Sequence, residues 1–337
     1  MKALVYDGPE TLAYREVEDA VAGPGQQLVR VFSVGICGSD MHAYLGHDDR
    51  RPAPLILGHE AAGEIVGGPR AGERVTLNPL VTCGTCPACL SGRDNLCPTR
   101  QIISMPPTEG AFAELVAMRD ENLVTVPDHV SLDAACLAEP IACGWHAVRL
   151  ARATVPDANR ALVIGGGAIG LGAALSLAAQ GITEVTILEP NALRREVLNG
   201  LCRQVAVAPD DLPADAMFDV VIDGVGYAAT RATASAHARP GGVIAHIGLG
   251  EGEGGLDIRR MTLQEITFTG TYTYTAQDFR DTAAAIFDGR LGPLDWTQPR
   301  PLAEGADAFA DIRAGRVAAP KIVLRPHDQS TPSNRSL

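Results

Sequence analysis

Residues 160–190, RALVIGGGAIGLGAALSLAAQGITEVTILEP, read as strand, glycine turn, alanine-rich helix and strand in direct succession. Parallel strands need a crossover of a dozen or more residues, most often a helix. This segment therefore commits the middle of the chain to a parallel sheet covered by helices. A second unit comes after it, with FDVVIDGVG, a helical stretch over 228–238 and then GGVIAHIGLG. The turn Gly165-Gly166-Gly167-Ala168-Ile169-Gly170 satisfies G-x-G-x-x-G. In a chain with 36 glycines that string alone says little, and a ligand-free βα turn is the bland alternative. Its position between an apolar strand and a helix gives each glycine a role: Gly165 for the sharp turn, Gly167 for a pyrophosphate's approach, Gly170 for helix–strand packing. The helix N-terminus offers unpaired N–H groups to the anion. Glu189 ends the next strand, 19 residues past Gly170, where a carboxylate accepts hydrogen bonds from ribose hydroxyls and repels a 2′-phosphate. NAD is therefore expected over NADP, although Arg194 and Arg195 just beyond are able to grip a phosphate.

The first 140 residues have a different texture, rich in Gly and Pro with β-branched clusters between turn signals, and read as mostly β. Within them lies CGTCPACLSGRDNLC, which spaces Cys83, Cys86, Cys89 and Cys97 as C-x2-C-x2-C-x7-C. Four thiolates aimed at one point make a closed structural zinc site. A disulfide is disfavoured because such near neighbours bridge poorly, and the bacterial iron–sulfur run closes with a gap of three rather than seven. A third set is scattered: Cys37 in GICGSDMH, His59 and Glu60 in LILGHEAAGEI, and Glu139 in LAEPIACGWH. One thiol, one imidazole and one or two carboxylates suit a zinc ion with an exchangeable position. Scattered Cys and His are more often core residues than ligands, as Cys136, Cys143 and Cys202 are expected to be.

With 337 residues, two domains are the expectation. A net charge of −12 argues against nucleic acid or an anionic membrane as partner. The longest apolar run is broken by glycines, the opening MKALVYDGPE reads as a strand rather than a leader, and reduced thiols with metal fit a cytoplasmic address.

Taken together, GICGSDMH, GHEAAGEI, GERVTLNP, the four-cysteine lobe, AEP, the glycine turn and GTYTYT resemble the zinc-dependent medium-chain dehydrogenases, in the branch of sorbitol, galactitol-phosphate and threonine dehydrogenases. The resemblance spans nearly the whole chain. It implies an α/β architecture: a β-rich GroES-like catalytic domain over 1–142 carrying the lobe (83–97), a doubly wound Rossmann domain over 143–286, a return to the catalytic domain over 287–325, and a mobile tail from 326. It implies two zinc ions per chain and a homodimer or homotetramer. Cys37, His59 and Glu139 would be ligands of the catalytic zinc, with Glu60 a ligand in some states. Ser39 and His42 would relay a proton to solvent, and Ile247, Gly248 and Leu249 would back the nicotinamide alongside a cradle of Gly165, Gly167, Ala168, Ile169 and Gly170. As a Lewis acid, zinc lowers the pKa of bound water from about 16 to about 7, and an alcohol should respond similarly. The expected reaction is oxidation of a polar secondary alcohol such as a polyol to a ketone. An amino-alcohol or threonine dehydrogenase and a non-catalytic NADH sensor are the rival readings.

Overall fold

The structure is a computed structural model and describes residues 1–201 and 204–327. Cys202 and all but the first two residues of the expected tail lie outside that range.

Six strands form a wholly parallel sheet in the order Val205–Val207, Glu184–Leu188, Arg160–Ile164, Phe218–Asp223, Ala238–His246 and Thr267–Gly270. Ala161–Ile164 and Val220–Asp223 are buried throughout, as strands covered on both faces must be. Strand order reverses beside Arg160–Ile164, and the crevice beyond the strand ends at such a reversal is where open α/β sheets bind ligands.

A second sheet runs in the order Leu123–Thr125, Arg74–Leu77, Glu60–Val66, Gln26–Gly35, Lys321–Arg325 and Thr297–Pro301, with Leu115–Arg119 also paired to Gln26–Gly35. The chain thus leaves this sheet, builds the parallel one, and returns at its end: Val323 and Leu324 pair antiparallel with Gly35 and Val34.

Two further helices join the halves. Ala138–Thr154 buries residues on nearly every side, so it carries no polar face to read. It packs on Ala168–Ala179 so closely that a Cβ on Gly144 would lie 2.5 Å from the Ala173 nitrogen. Ala276–Phe287 crosses the same helix and is tied to it by one carboxylate. Asp278, 1% exposed, accepts from Thr275 Oγ1 (2.7 Å), Arg149 Nε (2.6 Å) and His146 Nδ1 (2.7 Å). Burial alone would raise its pKa, but the bonds from His146, Arg149 and Thr275 hold it well below the usual carboxylate range. A depressed folded-state pKa contributes stability above the unfolded value of about 4 that is lost as pH falls through the folded value. Asp278→Asn should therefore cost roughly 3 kcal/mol at neutral pH. Denaturant melts should show that gap shrinking as the medium is acidified below pH ~4.

Candidate active site

Strand Gln26–Gly35 runs out at Cys37, which is the N-cap of the short helix Gly38–Tyr44. Asp40, in the first turn and fully buried, organises the metal-facing loops. Its carboxylate accepts the amide N–H of Cys37 (3.0 Å) and that of Gly58 (3.3 Å), tying together the two loops that carry Cys37 and His59. It also stands 3.5 Å from His59 Nδ1, where it biases the orientation of the ring. Sulfur, nitrogen and oxygen donors of Cys37, His59 and Glu60 then lie within 4.8 Å of one another.

Two buried atoms in this trio, His59 Nδ1 and Glu60 Oε2, have no hydrogen-bond partner. The other Glu60 oxygen accepts from Lys321 Nζ at 2.7 Å, and both side chains are buried. Buried polar atoms are rarely left unpaired, and a mixed donor set of this kind fits a zinc ion with an open position. Burial would lower the His59 pKa, but Asp40 and the Cys37 sulfur outweigh it and raise the value well above normal. A cation bound there must displace that proton.

Glu139 lies in the first turn of Ala138–Thr154 and outside the three-residue set. It is buried, with Oε1 accepting from the Tyr274 hydroxyl at 2.7 Å. Burial raises its pKa, and both His59 and Glu60 are near enough to act on its charge. The structure thus puts Glu60 among the donors that meet and Glu139 just beyond them.

The four lobe cysteines also converge within 4.8 Å. Sulfur–sulfur separations are 3.5 Å (Cys86–Cys89), 3.6 Å (Cys83–Cys97) and 3.9 Å (Cys83–Cys89), too long for a disulfide. A tetrahedron with Zn–S bonds of ~2.3 Å has edges of about 3.8 Å, so the set fits zinc. The backbone amide of Thr85, with that of Cys86, lowers the Cys83 thiol to about 5, into the thiolate form that ligates.

In the parallel sheet each glycine of the turn meets the expected constraint. Gly165 has φ +96°, a Cβ on Gly170 would strike the Gly165 carbonyl oxygen at 1.7 Å, and Gly167 faces open space. No side chain caps the helix that begins at Ala168, leaving its amides free. Glu189 is buried, its oxygens accepting the Gly166 and Asn191 amides at 2.9 and 2.8 Å. Arg194 stands 3.7 Å away and reaches the Val317 and Ala318 carbonyls. A single cavity of about 420 Å³ touches Cys37, Glu60 and Lys321 as well as Gly165, Gly167, Ala168, Ile169, Gly170 and Glu189. Ile247, Gly248 and Leu249 are not among its walls; Gly248 is pressed against the Val225–Gly226 backbone, and Leu249 is 80% exposed.

Residues 23–128 match the alcohol dehydrogenase GroES-like domain and residues 168–288 the zinc-binding dehydrogenase domain. The chain is 32% identical over 306 residues to an Escherichia coli L-galactonate-5-dehydrogenase, covering 86% of this chain and 88% of that one. It is 33% identical over 293 residues to a Bacillus subtilis sorbitol dehydrogenase, covering 81% and 82%. The chain belongs to the zinc-type alcohol dehydrogenase family. Its fold superposes with a TM-score of 0.87 and 27% identity on a putative zinc-binding dehydrogenase from Sinorhizobium meliloti bound to NADP, covering 96% and 99% of the two chains. This dehydrogenase therefore uses zinc and a nicotinamide dinucleotide.

Other expectations near the site meet mixed outcomes. Ser39 is half-buried and His42 exposed, three residues apart on one helix and so on one face. His47 is exposed, and Arg50 is a solvated partner of Asp48. Arg51 is 3% exposed and donates to the carbonyls of Ser39 and Ser104 and to Asp48. A guanidinium's fork of donors lets it serve as an internal brace that local sequence does not announce. Tyr44 packs in the core with its ring 5.2 Å from that of Phe309.

Nothing in PKIVLR or GTYTYT states a partner for Lys321 or for the Tyr274 hydroxyl. Cys37→Ser should remove one zinc per chain relative to the unaltered protein and abolish turnover while circular dichroism stays native. Unchanged zinc content with retained activity would remove Cys37 from the metal set.

Proposed function

We propose that this dehydrogenase oxidises a secondary hydroxyl of a polyol or polyol-derived acid to a ketone, with NAD as the preferred hydride acceptor. One observation carries the reading: the cavity that the glycine turn faces is the same one that Cys37 and Glu60 line. An alcohol at the metal end and a nicotinamide entering over Gly167 share that space. The names of the two relatives, an L-galactonate and a sorbitol dehydrogenase, support a polar, multiply hydroxylated substrate.

The two structural zones suggest a catalytic domain over 1–142 and 287–325 and a dinucleotide domain over 143–286. Cys37, His59 and Glu60 hold the catalytic zinc, with Glu139 close enough to exchange into the set or to bond what the metal binds. When bound, zinc supplies the Lewis acidity that makes a hydroxyl proton labile near neutral pH. The remaining tasks fall to side chains. Asp40 fixes the loops of Cys37 and His59, and Lys321 holds one oxygen of Glu60 so that the other faces the donors. Ser39 and His42 carry the proton outward along one helix face. The amides after Gly167 take the pyrophosphate, and Glu189 and Arg194 stand at the adenosine ribose.

Cys83, Cys86, Cys89 and Cys97 hold the second zinc. Zinc-ligating thiolates and an unpaired Cys143 suit a reducing compartment such as the cytoplasm. A homodimer or homotetramer has a physical basis in the strand Thr267–Gly270, which ends the parallel sheet, and in the exposed Ile258 and Leu263 just before it.

Glu189→Ser should move the NAD/NADP ratio of kcat/KM toward NADP by about tenfold, the equivalent of roughly 1.4 kcal/mol; an unmoved ratio would put ribose recognition elsewhere. A screen for NADH formation over polyols, aldonates, sugar phosphates, threonine and simple alcohols, with zinc analysis on the same sample, tests the substrate class. Turnover is expected with a polyol or aldonate and two zinc ions per chain. Turnover of threonine alone would favour the amino-alcohol reading, and no turnover with a single zinc the non-catalytic one.

A further inference from the structure

The four-cysteine lobe reaches further than its own loop. Just before its last cysteine, Asp94 and Asn95 sit in the short helix Asp94–Leu96. Asn95 is 3% exposed, and its Nδ2 donates to the Tyr272 carbonyl at 2.8 Å. The Asp94 carboxylate accepts the amide N–H of Ala276 at 3.1 and 3.2 Å, which is the first residue of helix Ala276–Phe287. Arg100, donating to the Cys97 carbonyl, lies 4.6 Å above the Tyr272 ring and donates to its hydroxyl at 3.3 Å. Three side chains of the lobe and its exit thus hold the turn Tyr272–Ala276 from both ends.

The turn needs holding. Thr273 adopts φ +46°, a left-handed conformation that is costly for a β-branched residue, and its hydroxyl oxygen is buried without a partner. Such a backbone persists only where its surroundings over-determine it. Between the two held ends stands Tyr274, 1% exposed, its ring packed 5.7 Å from that of Phe279. Its hydroxyl donates to Glu139 Oε1 at 2.7 Å. Burial and then the Glu139 charge raise its pKa well above normal, so it remains a donor.

The lobe itself has little apolar interior. Its helix Pro87–Leu90 buries no residue, and Leu90 is 76% exposed, so its shape rests on convergence of the four sulfurs. Whatever fixes the sulfurs also fixes Asp94 and Asn95.

We propose that the four-cysteine lobe is a positioning element of the active site: through Asp94 and Asn95 it sets the Tyr272–Ala276 turn so that the Tyr274 hydroxyl orients the Glu139 carboxylate. Asn95 and Tyr274 are positioning residues, acting through Glu139, and the inference rests on the reading that Glu139 serves the catalytic metal. The lobe would then affect catalysis through geometry as well as stability.

The test uses the full-length enzyme with two metals bound, as wild type, Asn95→Ala, Tyr274→Phe and the double variant. Each single change should lower kcat/KM by about 10- to 100-fold, as loss of a partner to a metal-site group does. The double variant should be no worse than the poorer single one, because both act through one bond. With cobalt(II) in the Cys37–His59–Glu60 site, the visible spectrum should shift in both single variants. Hydrogen exchange of the Ala276 amide should quicken in Asn95→Ala, while the strands of the parallel sheet keep wild-type protection. Asp94→Ala replaces Asn95→Ala if that variant does not fold. Wild-type turnover and cobalt spectrum in Asn95→Ala, or effects that multiply in the double variant, would overturn the proposal. Glu139→Gln separates the two ideas. If it changes neither turnover nor spectrum, the role of Glu139 falls; if it changes both while Asn95→Ala and Tyr274→Phe are silent, only the coupling falls.

Discussion

The buried pair of Lys321 and Glu60 is the contact on which the arrangement turns. The ammonium sits 2.7 Å from Glu60 and 2.8 Å from the Ile36 carbonyl, with almost no exposure of either side chain. A buried ion pair yields little net stability, but stranding either partner costs several kcal/mol, roughly 3–5. The strand Lys321–Arg325 is therefore constrained to lie against Gln26–Gly35. That placement returns the end of the chain to the sheet it left and closes the cavity beside the glycine turn. It also occupies one oxygen of Glu60 and leaves the other for the donor set.

The same region concentrates negative charge. Asp40, Glu60 and Glu139 are all buried around the His59 imidazole, and His59, Lys321 and Arg51 are cations that act on them. The fully buried Asp40 keeps a lowered pKa against the cost of its own desolvation, chiefly through His59. A divalent cation is the natural complement to such a cluster. It would satisfy the Glu60 oxygen that otherwise lies buried and unpaired. Protonation of His59 and metal binding are competing ways to meet one electrostatic demand.

Stability and chemistry also share parts farther out. Asp278 joins helices Ala276–Phe287 and Ala138–Thr154 through Arg149 and His146, and the second of these helices carries Glu139 in its first turn. Thr275, which caps the first, comes directly after Tyr274. The lobe reaches the same few residues from the other side. An element that looks like a separate staple in the chain is thus in mechanical contact with the carboxylates of the site.

What could be read from the chain alone was whatever is encoded within a few residues. The run from Arg160 to Pro190 carries a strand, a turn and a helix in its own composition, and the spacing of Cys83, Cys86, Cys89 and Cys97 carries a metal geometry. These features depend on backbone reach over short distances, so they survive translation into three dimensions intact. Helix Ala138–Thr154 was silent because it is buried on nearly all sides, and a polar face is what periodicity detects. Only the tertiary structure decided that Glu60 meets Cys37 and His59 while Glu139 meets Tyr274, that Arg51 is an internal brace, and that Lys321 and Asn95 reach across 261 and 177 residues. Local sequence cannot state those choices, because each depends on which distant side chain arrives to fill a buried hydrogen-bonding position.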